Sequence, residues 1–411
     1  MRRLALALGL AFAGCAAPAN RPAPTAEVLT GIDVLEENGF AELQGLRVGL
    51  ISNHTGKDRR GRSTAEALAA APGVTLAALF SPEHGFNGTS ELNKVSSMSV
   101  VLGGREIPIH SLYAGGIAGM RPKQEDLKDL DAVVFDIQDI GARFYTYLAT
   151  MGMAMEETAK ADIPFIVLDR PNPINGVLVE GPVLDDLTLR QVTSTAYFPV
   201  PIRHGLTAGE MALFYNAELK HPKLKVIELR GWSRALWFDQ TDLPWTAPSP
   251  NMPDLDAATL YPGVAVFEAG NLAVGRGTPV PFRWVGAPWL DSAALLKHMK
   301  AAKLPGIVFS EQDYTPTKSV FESKLCHGIR MKITDRDALR PLAVFRKLNE
   351  GLRRLHPADF AWRWVEAKRM AGSEDFRKIY EEDGDPARFE RLFDEGAKAF
   401  ETTRQPFLLY R

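Results

Sequence analysis

Ala132-Val133-Val134-Phe135-Asp136-Ile137-Gln138-Asp139-Ile140-Gly141-Ala142-Arg143-Phe144-Tyr145-Thr146-Tyr147 sets the pattern for the whole chain. A short, continuous apolar run stops on an aspartate, a polar segment containing glycine follows, and a helical pattern begins over 145–161. Runs of this type recur at 47–52, 76–80, 132–136, 165–169 and 225–229, separated by helical patterns at 63–71, 123–130, 145–161 and 208–219. Apolar runs too short for helices, alternating with amphipathic crossovers, predict a parallel sheet covered on both faces. The expected fold class is therefore α/β, a Rossmann-like, doubly wound, mostly parallel sheet over residues 26–247.

Polar residues gather just after these runs: Asn53-His54, Ser81-Pro82-Glu83-His84-Gly85, Asp136 to Asp139, and Asp169-Arg170-Pro171-Asn172. Open α/β sheets bind ligands outside the carboxyl ends of their strands, so these segments mark the expected site. At 244–253 the prolines Pro244, Pro248, Pro250 and Pro253 read as a linker that neither a helix nor a central strand would accept. Residues 248–411 are expected to form a second, smaller α+β C-terminal domain that completes the site. Its predicted strands lie near 263–268, 306–310 and 328–333, and its helices at 292–302, 339–355 and 386–400.

Residues 1–25 read as a lipoprotein-type signal and tether. Met1-Arg2-Arg3 is a positive start, 4–13 is apolar, and Ala13-Gly14-Cys15 resembles a site where Cys15 would be acylated. The expected destination is the periplasmic side of a membrane, as an outer-membrane lipoprotein of a Gram-negative bacterium, because Ala16 replaces the aspartate that goes with inner-membrane retention. The anchor is the only expected membrane contact, since no later run has the roughly 18 apolar residues of a span. Apart from Cys15 the only cysteine is Cys326, which excludes a disulfide framework and reads as a small buried apolar residue. With a formal charge of −2 over 411 residues, no nucleic-acid partner is expected.

Cofactors are also not expected. No Gly-x-Gly-x-x-Gly turn or phosphate loop follows the first run, and Gly270 to Gly277 lacks the Lys-Ser/Thr ending, reading as a tight loop that presents Asn271 and Arg276. No metal is assigned, because His54, His84, His204, Asp136 and Asp139 show no close ligand spacing. A glutamate at a strand tip, such as Glu83, can hold a proton for general acid work, whereas its bland reading is a salt-bridged loop residue. Asp136 and Asp139 add carboxylates, and Arg143 and Tyr145 add a guanidinium and an aromatic face suited to a sugar ring. The structural alternative has the aspartates capping the next helix and pairing with Arg143. Asn172 suits a site lip or a turn, Arg203-His204 stand just before a helix, and Thr207 with Glu210 form a capping-box pattern.

Taken in order, Ser81-Pro82-Glu83-His84-Gly85-Phe86, the Asp136 to Tyr147 cluster, Asp169-Arg170-Pro171-Asn172-Pro173, Arg203-His204-Gly205-Leu206-Thr207, Pro248-Ser249-Pro250-Asn251-Met252-Pro253 and Asn271-Leu272-Ala273-Val274-Gly275-Arg276-Gly277-Thr278 closely resemble one family. It is the DUF1343 family, whose characterised members are exo-β-N-acetylmuramidases of the NamZ type, glycoside hydrolase family 171. The resemblance implies release of terminal non-reducing N-acetylmuramic acid from peptidoglycan fragments, or muropeptides, in cell-wall turnover or recycling. It also implies that Glu83 is the catalytic residue. His84 would tune it, and Asp136, Asp139 or the substrate's own N-acetyl group would act as its partner. Arg143, Arg203 or Arg276 would hold the lactyl carboxylate, with Asn53, His54, Tyr145, Asn172, His204, Asn251 and Asn271 around the sugar. Two other readings are a cell-wall-glycan-binding lipoprotein without catalysis and a metal-dependent cell-wall hydrolase.

Overall fold

A computed structural model describes residues 27–88 and 98–411. Cys15 and the predicted leader and tether lie outside the described residues. The strands, in chain order, are β1 (Arg47–Ser52), β2 (Thr75–Ser81), β3 (Met98–Leu102), β4 (Arg105–Ser111), β5 (Ala132–Asp136), β6 (Phe165–Leu168), β7 (Glu180–Val183), β8 (Pro201–Arg203), β9 (Leu224–Ile227), β10 (Trp284–Ala287), β11 (Ile307–Glu311) and β12 (His327–Ile333). The helices are α1 (Gly31–Glu37), α2 (Thr64–Ala70), α3 (Gln124–Leu127), α4 (Tyr147–Lys160), α5 (Ala208–Leu219), α6 (Leu255–Val264), α7 (Ser292–Ala301), α8 (Pro341–Leu355), α9 (Trp364–Ala371), α10 (Asp375–Glu382) and α11 (Pro386–Thr403).

The doubly wound sheet has the order β3-β4-β2-β1-β5-β6-β9. Every pairing is parallel except that of β3 with β4 at one edge. Side chains alternate across a strand, and the consequence is visible on β5. Val133 and Phe135 enter the apolar cluster that holds α4 and α5, while Ala132 and Val134 join α1 and α2 on the other face. From β1 the chain winds out through β2 in one direction and through β5, β6 and β9 in the other. The gap between β1 and β5 is therefore a topological switch point, where such sheets open a ligand crevice. Ser52 pairs with Asp136, so the two strands end level and deliver their following loops to the same place.

The C-terminal part holds an antiparallel sheet, β10-β12-β11, with helices. The apolar cluster on the α4 side runs without a break from Ile51 and Phe135 to Phe345 and Phe400. The strand predicted at 263–268 is a correction. Asp254 caps α6 by accepting from the Ala257 N–H, α6 runs to Val264, and a 3-10 turn continues through Ala265–Ala269. All of α6 from Ala257 onward is buried, and a fully buried helix gives the same unbroken apolar run as a buried strand. Residues 404–410 return to the first sheet: Tyr410 donates to Asp169 (2.6 Å), Leu409 N–H to Glu210 (2.9 Å), and Arg404 to the Gly205 carbonyl (2.9 Å).

Candidate active site

The turn after β2 is fixed by its backbone. Gly85 N–H bonds to the Pro82 carbonyl (3.0 Å), and His84, at the third position, has φ +68°, the type II arrangement. Glu83 is thereby held out, half-buried, at the switch point. Its Oε2 accepts from the Thr146 hydroxyl at 2.5 Å. Thr146 is the N-cap residue of α4, yet its side chain makes no capping bond and turns to Glu83 instead. Tyr113, delivered by the end of β4, is the second partner. Burial, then the charge of Glu83 and a hydrogen bond to it, hold the Tyr113 phenol above its ordinary pKa.

After β1, Asn53 uses Oδ1 to accept from Thr55 N–H (2.9 Å) and the Thr55 hydroxyl (2.6 Å), leaving its amide nitrogen toward the Tyr147 hydroxyl. His54 donates from Nε2 to the Ala247 carbonyl (2.7 Å), which leaves Nδ1 as the unprotonated nitrogen. Burial, with the nearby Lys57 and His84, lowers its pKa. Gly88 (φ +70°) packs against this ring so closely that a Cβ would lie 2.0 Å from it. The proline-rich stretch read as a linker is a strap across the site. Besides Ala247, its Pro248 carbonyl accepts from the Tyr147 hydroxyl (2.6 Å), Ser249 lies beside the Tyr145 hydroxyl, and Asn251 is buried within it.

The two aspartates of the β5 loop have different surroundings. Asp136 is fully buried in an ion pair with Arg170 (Nε to Oδ1 2.5 Å, Nη2 to Oδ2 2.8 Å) and accepts from Thr64 as well, so both its oxygens are engaged. Asp139 accepts from Gly141 N–H with Oδ2 (2.7 Å), while its Oδ1 is buried with no hydrogen-bond partner. Burial pushes its carboxyl up to about 7. Gly141 (φ +81°) allows this loop to lie against Asn172, whose oxygen would be 2.5 Å from a Cβ there. His204 receives Leu206 N–H on Nδ1 (3.1 Å), so its neutral ring points an Nε2–H at Asp139 across 4.0 Å. Burial, reinforced by Arg404, Arg143 and Arg234, pushes His204 down to about 3.

Tyr145 stands edge-on to Tyr147 (5.0 Å) and to Tyr261 (5.8 Å). Burial chiefly raises its phenol pKa, with Tyr147, Asp139 and Glu83 adding to the rise, so both carboxylates border this aromatic group. The arginines divide clearly. Arg143 is buried and donates to the carbonyls of Pro182 (2.9 Å), Val200 (3.0 Å) and Met370 (2.7 Å). Arg203 is buried against Glu180 (2.9 Å) and the Ile174 carbonyl. Arg276 keeps a partly exposed side chain paired with Glu268, and its neighbours Tyr261 and Tyr145 also sense Glu83. Asn172 bonds the Leu206 carbonyl (3.0 Å), and Asn271 bonds Asp359 (2.7 Å) and Ala361 (2.9 Å). The structure thus brings Asn53, His54, Glu83, His84, Asp139, Tyr145 and Arg276 to one region. The side chains of Asp136, Arg143, Arg203, Asn172 and Asn271 are engaged by protein groups. The Thr207–Glu210 capping box is present on α5.

Sequence reading missed Tyr113, Thr146, Ser249, Tyr261 and Glu268 as site residues. For Tyr113 a signal existed in the alternation Ile107-Pro108-Ile109 ahead of it, obscured by a proline that argues against a strand.

The family model described as "Exo-beta-N-acetylmuramidase NamZ, N-terminal" matches residues 48–256, and that described as "Exo-beta-N-acetylmuramidase NamZ, C-terminal" matches residues 259–410. Among named proteins, the chain is 36% identical over 394 residues to "Peptidoglycan beta-N-acetylmuramidase NamZ" of Bacillus subtilis (strain 168), covering 95% of this chain and 93% of that one. Two crystal structures of DUF1343 family proteins from Bacteroides fragilis NCTC 9343 are similar to it. One has a TM-score of 0.85 at 34% identity and covers 94% of this chain and 100% of that one. The other has a TM-score of 0.72 at 28% identity and covers 94% and 99%.

Proposed function

Because the chain belongs to the exo-β-N-acetylmuramidase NamZ family, we propose that it is a glycosidase that removes the terminal non-reducing N-acetylmuramic acid from peptidoglycan fragments. The observation that carries this reading is Glu83, half-exposed on a rigid turn at the switch point, braced by Thr146 and Tyr113 and sharing with a second carboxylate, Asp139, the neighbourhood of Tyr145.

Glu83 protonates the departing glycosidic oxygen, and Asp139, ionised, stabilises the positive charge growing at the anomeric carbon or takes a proton from the attacking water. Asp139 is favoured over Asp136 because one of its oxygens is unengaged, whereas Asp136 is neutralised by Arg170. Arg276 is the arginine assigned to the lactyl carboxylate, shared with Glu268, since its side chain is partly exposed whereas Arg143 and Arg203 are buried among protein carbonyls and Glu180. Incubation with fragments ending in N-acetylmuramic acid should liberate the free sugar, and do so after exhaustive chelation. Tight binding without product would instead identify a scaffold, and loss with chelator a metal-dependent hydrolase.

Thr146 acts through Glu83 as a positioning residue. A hydrogen bond to an ionisable carboxyl is worth about 1.5–3 kcal/mol, so Thr146→Val should lower kcat about tenfold or more. It should leave KM near its starting value and shift the pH profile, and Thr146→Ser should restore the rate. An unchanged pH profile would remove Thr146 from this role. Export and acylation at Cys15 belong to the same proposal, placing the enzyme at a membrane facing the wall. Labelled palmitate should enter the wild type in cells and not Cys15→Ser; equal labelling would refute it.

A further inference from the structure

His204 is completely buried, yet only one of its ring nitrogens is satisfied. Nδ1 accepts from Leu206 N–H (3.1 Å), which fixes the proton on Nε2, and among the described residues that Nε2–H has no hydrogen-bond acceptor. A buried donor without an acceptor is costly, so an apolar side chain would serve the fold better at this point. The carboxylate that the ring faces is Asp139, whose Oδ2 lies 4.0 Å from Nε2 and whose Oδ1 is likewise buried without a partner.

The backbone brings these two side chains together. Arg143 N–H bonds to the Ile202 carbonyl (2.8 Å) and Ala142 bridges Arg203, so the β5 loop lies along β8 just ahead of His204. The residues after it are held by Arg404, which donates to the Gly205 carbonyl (2.9 Å), and by Asn172, which donates to that of Leu206 (3.0 Å). The charged groups around the ring are Arg143 from the β5 loop, Arg234 following β9 and Arg404 following α11, and all three oppose a positive charge on it. With burial as the larger cause they push His204 down to about 3, so the ring is a neutral donor throughout the range in which Asp139, at about 7, titrates. The other titratable groups beside Asp139 are the phenols of Tyr145 and Tyr147 at the start of α4, both held above their ordinary pKa, and Glu83 acts on the same two phenols.

We propose that His204 is a positioning residue for Asp139: its Nε2–H closes onto Oδ2 of the ionised carboxylate and leaves Oδ1 as the oxygen for the reaction. The closure needed is about 1 Å, from 4.0 Å to an ordinary N–H···O length, and an ionised acceptor makes such a bond roughly twice as strong as a neutral one. Oδ2 then accepts from two fixed donors, Gly141 N–H and His204. The inference rests on the glycosidase reading above, in which Asp139 works ionised.

The test follows kcat/KM against pH on a nitrophenyl β-N-acetylmuramide, whose leaving group needs little help from Glu83, so that the acid limb reads Asp139. Without the His204 donor the carboxylate is harder to form. In His204→Leu the limb should move up by about one pH unit, a loss of about tenfold near pH 6 that shrinks above about pH 8. His204→Gln, which carries an amide N–H near the place of Nε2, should return the limb toward its wild-type position. A limb that does not move would overturn the proposal, as would a loss equal at every pH, which is what a histidine that only packs the core would give. Nitrogen NMR of the imidazole rings reads the pair in the wild type, without turnover and without substitution at His204. The Nε2 resonance of His204 should shift with the Asp139 midpoint, at about 7, and stay level in Asp139→Asn. A resonance that stays level in the wild type would overturn the proposal. The shift, found in a protein that hydrolyses no muramide, would sink the glycosidase reading and leave the His204–Asp139 contact standing.

Discussion

Glu83→Gln is expected to lower kcat on natural fragments by about 10³-fold, within the range by which a general acid accelerates such a step, while the melting temperature stays within about 2 °C of wild type. Glutamine has the shape of glutamate, and its oxygen can still accept from Thr146, so the turn and the head of α4 keep their contact. What is lost is the proton for the leaving oxygen. Dependence on that proton falls as the leaving group improves. The loss should therefore be markedly smaller with a nitrophenyl glycoside than with an N-acetylglucosamine leaving group. Full activity in the variant, or an equal loss on both substrates together with a lower melting temperature, would show that Glu83 serves the fold rather than the chemistry.

Asp139→Asn should move activity and stability in opposite directions. The carboxyl is buried, its pKa is about 7 against an ordinary 3.8, and burial is the cause. Below about pH 4 the group is protonated in folded and unfolded chains alike. Between about pH 4 and pH 7 the unfolded chain ionises while the folded one holds its proton, so the wild type loses stability as pH rises, and above pH 7 the full cost remains. Asparagine carries no charge and can keep the bond to Gly141 N–H. The variant should match wild type near pH 4 and exceed it by roughly 2–4 kcal/mol at pH 8. His204, whose folded pKa is depressed to about 3, contributes in the opposite sense, losing stability as pH falls from about 6.5 toward 3. It does so in both proteins and largely cancels from the comparison. Activity should fall at least 10²-fold, and the wild-type rate should rise through about pH 7 as Asp139 ionises. Denaturant melts at the two pH values check the first part; equal stabilities at pH 8 would mean that the buried carboxylate is not under strain.

The sheet could be read from the sequence because its strands are covered on both faces, which leaves uninterrupted apolar runs such as 132–136. The same logic failed at 263–268, where a buried helix is equally uninterrupted. The hairpin of β3 and β4 lies at the sheet edge, is half polar and contains Pro108, so it gives no such run. At the candidate site, strand-end position pointed to Glu83, Asn53 and Asp139, which the fold gathers in one region. It could not reveal which way an arginine points: Arg143 and Arg203 have the residue type of a carboxylate anchor but are enclosed with backbone carbonyls as partners. The strap was also misread, because prolines advertise what a backbone cannot donate and say nothing of the carbonyls that hold His54 and Tyr147.

The return of residues 404–410 to the first sheet sets the order in which this protein can be finished. Asp169 and Glu210 are buried acids, and their partners Tyr410 and Leu409 lie 241 and 199 residues further along the chain. Until that last segment docks, Asp169 relies on Thr207 and Gly209 and Glu210 on Arg234 and Thr207, each one donor short of its final set, and closing so long a loop is slow. The carboxyl edge of the first sheet is thus closed by the segment most distant from it along the chain, so unfolding of 404–410 should loosen that edge before the rest of the sheet.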